Sequence, residues 1–312
     1  MFLANHQNAL LDALLIATHC KRKPYFLTRS DVFKTALLKV FFGFLQMIPV
    51  YRIRDGKNSL AGNTAIFERC AQLLGRGEAV LIFPEGNHSL KRRVRPLSKG
   101  FTRILFLALE SNPSMDIGIV PIGVNYANAA KFPDKAALYY GNEIRVRDFF
   151  DKKDMSGSAS RLKEEVYHHL KKLTTHIEEE SSYEEIVHTL DRAKVDYLDP
   201  AGVNRIIEEG TSPENRKIGK GKVGLMNYLF RGVFSILNFP MIIIWSIFIK
   251  PKVSEPEFLS TTRFMYALLF YPFFYLLFIA GMLEFLNWPA TSIICLAHLT
   301  LNIVLVKLSW ED

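Results

Sequence analysis

The stretch Asn5-His6-Gln7-Asn8-Ala9-Leu10-Leu11-Asp12 decides how the first half of this chain is read. On one continuous helix, His6 and Asp12 would lie about 240° apart around the axis and could not meet. Asn8, however, is a good N-cap, and Ala9-Leu10-Leu11-Asp12-Ala13-Leu14-Leu15-Ile16 is a good helix start. With His6 in the turn before that helix, Asp12 in its first turn can reach back to the imidazole. A carboxylate held on one ring nitrogen fixes the tautomer and leaves the other nitrogen to take a proton from a hydroxyl. Such a pair taken alone is more often incidental than catalytic, so the surrounding sequence must carry the reading.

Working outward, short apolar runs alternate with amphipathic stretches over roughly the first 150 residues, the texture of an α/β domain. Strands are expected at Met47 to Arg52, Ala79 to Phe83, Gly118 to Val124 and Ala137 to Tyr140. Helices are expected at Leu60 to Leu74, ended by Gly75 and Gly77, and at Gly100 to Glu110, stopped by Pro113. Four strands separated by helices predict a largely parallel sheet flanked by helices. Only four residues precede Asn5, short for a strand of about five or six. The chain is therefore expected to begin inside a longer protein, with His6 in an exposed loop that little chain holds still.

The 312 residues are 49% hydrophobic, enough for a large core, and carry a formal charge of +8. That balance favours anionic partners such as phosphates or acidic membrane surfaces. Nucleic acid is excluded as a partner by the lack of zinc-finger spacing, an aromatic-basic ribonucleoprotein signature or a basic region running into heptads. Cys20, Cys70 and Cys295 are too few and too scattered for a disulfide framework or a zinc site, which suits a reducing compartment.

From Ser158 to Glu179 the chain is charged and helix-prone, and Ser182-Tyr183-Glu184-Glu185 then offers the spacing of a capping box. His168, His169, His176 and His188 read as surface residues of a solvated helical face. Metal ligation by His169 and His176, seven apart on one face, is the sharper alternative, but no carboxylate stands at a typical spacing.

A Pro/Gly/Lys-rich linker, Ser212 to Lys222, precedes a membrane-like composition. Phe264 to Leu283 is a 20-residue stretch without a charge, long enough for a ~30 Å hydrocarbon core. Ala290 to Val306 is a second candidate, carrying His298 and Asn302, and Leu225 to Ile249 a third, interrupted by Arg231 and Pro240. Lys250, Lys252, Arg263 and Lys307 flank the first two, whereas the Glu284 to Pro289 loop has no cation, so that loop should face away from the cytoplasm. If the α/β domain is cytoplasmic, Leu225 to Ile249 enters and leaves on one side, with Pro240 as the break. The expected organisation is an α/β domain over 1–180, a charged helical segment and linker over 181–222, and a membrane-embedded helical region over 223–312.

The remaining chemistry lies at Phe83-Pro84-Glu85-Gly86, which leaves a predicted strand. Asn87-His88-Ser89 follow, then Lys91, Arg92, Arg93, Arg95, Lys99 and Arg103. Gly86 allows a tight turn, Glu85 can hold a hydroxyl or a cation, and the basic side chains can neutralise a phosphate. The same cations read equally well as a loop facing solvent or lipid head groups.

Asn5-His6…Asp12, Ile48-Pro49-Val50-Tyr51-Arg52, Phe83-Pro84-Glu85-Gly86 and Val120-Pro121-Ile122-Gly123 together resemble the four ordered blocks of the glycerol-3-phosphate and lysophosphatidate acyltransferase family. Each block is weak alone; their order over residues 5 to 125 is the signal. The resemblance implies that His6 is the general base, oriented by Asp12. It implies that Arg52, Glu85, Gly86 and Lys99 bind the glycerol phosphate, and that Pro121 shapes the acyl-donor side. It further implies direct transfer of a fatty acyl group from an acyl carrier protein or coenzyme A thioester, with no acyl-enzyme, cofactor or metal. The acceptor would be glycerol 3-phosphate or its 1-acyl derivative, at a membrane and on its cytoplasmic face.

There are two departures. Five residues separate His6 from Asp12 where most members have four, which leans towards glycerol 3-phosphate as acceptor. Asn87-His88 stands where Thr-Arg is commoner, so His88 either substitutes for the Arg in phosphate binding or is structural. A membrane lipid- or phosphate-binding protein that keeps the fold without turnover is the competing expectation. A multi-span transporter is not, because over 200 residues precede the first apolar stretch.

Overall fold

The computed structural model describes residues 1–33, 35–51, 57–210 and 225–308. These form two compact units, Met1–Ala127 with Lys135–Asn215, and Asn128–Asp134 with Arg216–Asp312. The expected linker Ser212 to Lys222 and Arg52 both fall outside the described residues.

In the first unit, the strands are β1 (Phe2–Ala4), β2 (Tyr25–Arg29), β3 (Met47–Val50), β4 (Val80–Ile82), β5 (Gly118–Tyr126), β6 (Ala136–Tyr140) and β7 (Ile144–Arg145). They make one sheet in the order β3-β2-β4-β1-β5-β6, with β7 pairing β5. Every pairing among the first five strands is parallel. The expectation of a largely parallel sheet flanked by helices therefore holds. β6 and β7 run antiparallel to β5. The β5–β6 connection contains no crossover helix, and a short return permits antiparallel pairing.

The expectation that too little chain precedes Asn5 for a strand is overturned. β1 has only three residues, yet it pairs with β4 on one side and β5 on the other, and Leu3 and Ala4 are fully buried. A central strand pairs along both edges, so three residues suffice where an edge strand would need more.

The helices of this unit are α1 (Ala9–His19), α2 (Ala36–Phe44), α3 (Lys57–Gly75), α4 (Gly100–Ser111), α5 (Met155–Leu173), α6 (Tyr183–Arg192) and α7 (Pro200–Glu208). α4 presents Phe101, Ile104, Leu105 and Leu109 to Leu3, Val80 and Ile119 of the sheet, and Leu162, Val166 and Leu170 of α5 join the same cluster. Burying each such side chain contributes roughly 1.5–3 kcal/mol, so this layer fixes the sheet as a platform. Gly123 lets α5 end against β5, since a Cβ there would sit 2.1 Å from the Leu173 carbonyl oxygen. Asp154 and Asp199 cap α5 and α7 by accepting from Gly157 and Gly202 backbone N–H groups. Ser182 stands at the N-cap of α6 without a side-chain cap bond, so the expected capping box does not form.

The second unit contains α8 (Leu225–Leu237), α9 (Phe239–Ile244), α10 (Leu259–Leu283) and α11 (Trp288–Leu308). α10 and α11 are long and apolar enough to cross a membrane. α8 and the segment from Phe239 bend by 85°, immediately before Pro240, which lacks the N–H and the space to continue a helix. Buried Asn238 sits in the bend, donating to Phe234 O and, at 2.7 Å, to Asn302 Oδ1. Tyr271 donates to Asn238 Oδ1, and His298 meets Leu237 O through Nε2 and the Tyr275 hydroxyl through Nδ1. His298 and Asn302 thus serve polar groups that the break opens, a requirement in an apolar surrounding.

Candidate active site

In a parallel sheet the carboxyl ends of neighbouring strands deliver their following loops to one edge, where α/β proteins place their sites. β4, β1 and β5 are adjacent and parallel, so the loops after Ile82, Ala4 and Tyr126 converge there. The Asn5 side chain extends β1 by accepting from Val124 N at 2.7 Å and donating to Val124 O at 3.0 Å. The His6 carbonyl accepts from Ser89 N at 3.1 Å. The loop is therefore anchored to β5 and to the loop that follows β4, and the His6 side chain is only 15% exposed, contrary to the expected loose and exposed loop.

Asp12 is fully buried, and both its oxygens are engaged. Oδ2 accepts from Gln7 N and Asn8 N, each at 2.8 Å, and lies 2.7 Å from His6 Nδ1. Oδ1 accepts from the Tyr126 hydroxyl at 2.6 Å. Because a carboxylate only accepts, Nδ1 of His6 carries the proton and Nε2 keeps its lone pair. Asn8 occupies the N-cap without a side-chain cap bond, and the carboxylate of Asp12 takes over the backbone N–H groups there. The five-residue spacer closes with Ala9 at φ 40°, a left-handed conformation costing a non-glycine residue on the order of 1–3 kcal/mol.

The imidazole stacks on Phe83 with centroids 4.1 Å apart, and His88 meets its edge at 5.5 Å. Nε2 has no hydrogen-bond partner among the described residues, which leaves it open to an incoming hydroxyl.

Beside it, Gly86 turns the chain at φ 79°, a conformation glycine adopts without strain. Arg95 grips the turn: its Nε donates to Glu85 Oε2 at 2.8 Å, and its terminal nitrogens donate to Glu85 Oε2, Asn87 Oδ1 and Asn87 O. Glu85 Oε1 is buried without a partner. Burial raises the Glu85 carboxyl from 4.5 to about 7, against the lowering effect of Arg95 and with a smaller push from Asp12. Between those values the folded chain holds a proton that the unfolded chain has released, so stability falls as pH rises through the window and the penalty is complete above it. The loss should be on the order of 3 kcal/mol. Comparing melting temperatures of wild type and Glu85→Gln from pH 5 to 8 should show the wild type losing ground as pH rises. Parallel curves would refute this.

The basic run mostly serves the fold. Lys91 and Arg93 pair with Glu180 at 3.3 and 3.2 Å. Arg92 donates to the Tyr126 and Ala127 carbonyls and stacks over Tyr197 at 3.3 Å. Lys99 and Arg103 are exposed, with no ion-pair partner among the described residues. Lys99 adjoins the Glu85 turn, because Ser98 N donates to Pro84 O at 2.7 Å. Pro121 is buried in β5 opposite Leu3, inside the sheet.

The expectation for His176 is corrected. It is 7% exposed, its Nδ1 accepts from Val94 N, and burial followed by Lys171 lowers its pKa. Among the described residues no three His, Cys, Asp or Glu side chains gather in a way that could hold a metal ion.

Sequence reading missed Tyr126 and the particular role of Arg95. Tyr126 ends an apolar strand, where a tyrosine reads as core, and no local pattern distinguishes Arg95 from its cationic neighbours.

A buried carboxylate, an imidazole with one open nitrogen and a glycine turn held by arginine thus lie together at the carboxyl end of the α/β sheet. Residues 1–125 match the family model described as Acyltransferase. The chain is 26% identical over 83 residues to glycerol-3-phosphate O-acyltransferase 1 of Saccharomyces cerevisiae, and 32% identical over 84 residues to glycerol-3-phosphate O-acyltransferase 2 of the same yeast. Each match covers 27% of this chain and only 11% of the relative. Among solved structures, the 1-acyl-sn-glycerophosphate (LPA) acyltransferase PlsC from Thermotoga maritima aligns at a TM-score of 0.35 and 17% identity, over 54% of this chain and 64% of that one.

Proposed function

We propose that this chain is a membrane-bound glycerolipid O-acyltransferase using His6 as general base, with its α/β domain on the cytoplasmic face. The observation that carries this reading is the His6–Asp12 pair with Nε2 open beside the Glu85–Gly86 turn. Nε2 takes the proton of an acceptor hydroxyl as its oxygen attacks the thioester carbonyl. The tetrahedral adduct collapses, the carbon–sulfur bond breaks, and the leaving thiolate recovers the proton from the imidazolium. Asp12 stabilises that imidazolium and holds it in line.

The acceptor is glycerol 3-phosphate or its 1-acyl derivative. Glu85 Oε1, buried and unpartnered, is suited to receive a glycerol hydroxyl, and the exposed cation of Lys99 suits the phosphate, together with Arg52 and His88. The donor is an acyl thioester of coenzyme A or acyl carrier protein, with Pro121 on its side. The apolar α10 and α11 suit a lipid product.

The test is to incubate the full chain in proteoliposomes with a labelled acyl thioester and, separately, each acceptor. Ester should form with at least one of them. Retained lipid binding without ester from either would overturn the proposal in favour of a non-catalytic lipid-binding protein.

A further inference from the structure

We infer that Tyr126 is a positioning residue for acyl transfer, acting on His6 through Asp12; this rests on the reading of His6 as the base. Tyr126 is 4% exposed, lies 114 residues along the chain from Asp12, and places its hydroxyl 2.6 Å from Asp12 Oδ1. The three other donors to this carboxylate all meet Oδ2, so the Tyr126 hydroxyl sets the orientation of the second oxygen. A carboxylate held through one oxygen can turn about its Cβ–Cγ bond, whereas one held through both cannot. The phenol thereby keeps Oδ2, and the imidazole on it, aimed at one place. Its strand is fixed in turn by the reciprocal Asn5–Val124 bonds two residues earlier.

The bond also sets the strength of the base. A phenol donating to Oδ1 draws off part of the carboxylate charge and so weakens its hold on the imidazolium. The other groups around the pair are His88, edge-on to the His6 ring, and Glu85, close enough to Asp12 to influence its own titration, with Arg95 bonded to Glu85. None of the three is altered by a substitution at residue 126.

Two variants in the full chain, in proteoliposomes, give opposite signs. Tyr126→Phe removes the donor; kcat should fall about tenfold with KM nearly unchanged, and the acidic limb of the rate profile should move up by roughly half a unit or more. Site-specific 3-fluorotyrosine at 126 strengthens the donor at nearly constant size and should move the limb down. A limb position does not depend on how much protein is folded, so a purely structural role would leave both limbs in place. His6→Ala is run alongside. If it is inactive and neither limb moves, Tyr126 has no positioning role and the base assignment stands. If His6→Ala stays active, the base assignment itself falls.

Discussion

His6→Ala should lower kcat for acyl transfer by about 10³-fold, within the usual range for losing a general base, and leave KM for both substrates within a small factor. Glu85 has Oε2 tied to Arg95, and Asp12 has three donors on one oxygen and one on the other. His88 meets the edge of the His6 ring, 5.5 Å between centroids. The acceptor and thioester would still bind, because the groups proposed to hold them lie on other loops. The residual rate should rise with pH, as hydroxide replaces the missing base. Initial rates of labelled ester formation from pH 6 to 9 would check this. A variant within tenfold of wild type, with a wild-type profile, would remove His6 from the chemistry.

Sequence chemistry located this site better than sequence periodicity located its scaffold. The reach of Asp12 back to His6 follows from placing the imidazole ahead of a helix, and the structure puts Nδ1 and Oδ2 2.7 Å apart. The Gly86 turn follows similarly from a glycine after a buried strand. By contrast, β1 and β2 were invisible. Three residues cannot display a period of two, and Tyr25–Arg29 is a short apolar run sliding into polar residues. What makes β1 a strand is a pair of neighbours lying about 80 and 120 residues away, Leu81 and Val120, which no local window contains. The same holds for the basic run between 91 and 103. Six cations look alike in sequence, and only tertiary packing gives Arg95 to Glu85, Arg92 to two carbonyls, and Lys91 and Arg93 to Glu180. His176 shows the reverse: a histidine in a charged run reads as solvated, yet it is buried as the acceptor for a backbone N–H.

Asp12 is where scaffold and chemistry meet, and two substitutions should separate them. Asp12→Ala strips the acceptor from Gln7 N, Asn8 N and the Tyr126 hydroxyl, all within a fully buried pocket. Each unsatisfied donor costs about 1–3 kcal/mol, so the sum approaches the ~5–15 kcal/mol that holds an ordinary domain together. The helix start at Ala9, already at φ 40°, loses the bonds that impose that conformation. A large drop in melting temperature and easy proteolysis within the first twenty residues are expected. Asp12→Asn keeps the shape. Its carbonyl oxygen can stand where Oδ2 stands and accept from both backbone N–H groups and from His6, while its NH2 donates to the Tyr126 oxygen, whose hydrogen turns away. The fold should lose only about 1–2 kcal/mol, the worth of one displaced hydrogen bond. Yet the imidazolium formed during transfer would face a neutral amide, and kcat should fall by about 10²–10⁴-fold. Melting curves and initial rates on the two variants therefore should diverge: Ala unfolded, Asn folded and nearly inactive. An Asn variant with wild-type turnover would show that the charge of Asp12 is not used, and an Ala variant as stable as Asn would show that its hydrogen bonds do not hold the loop.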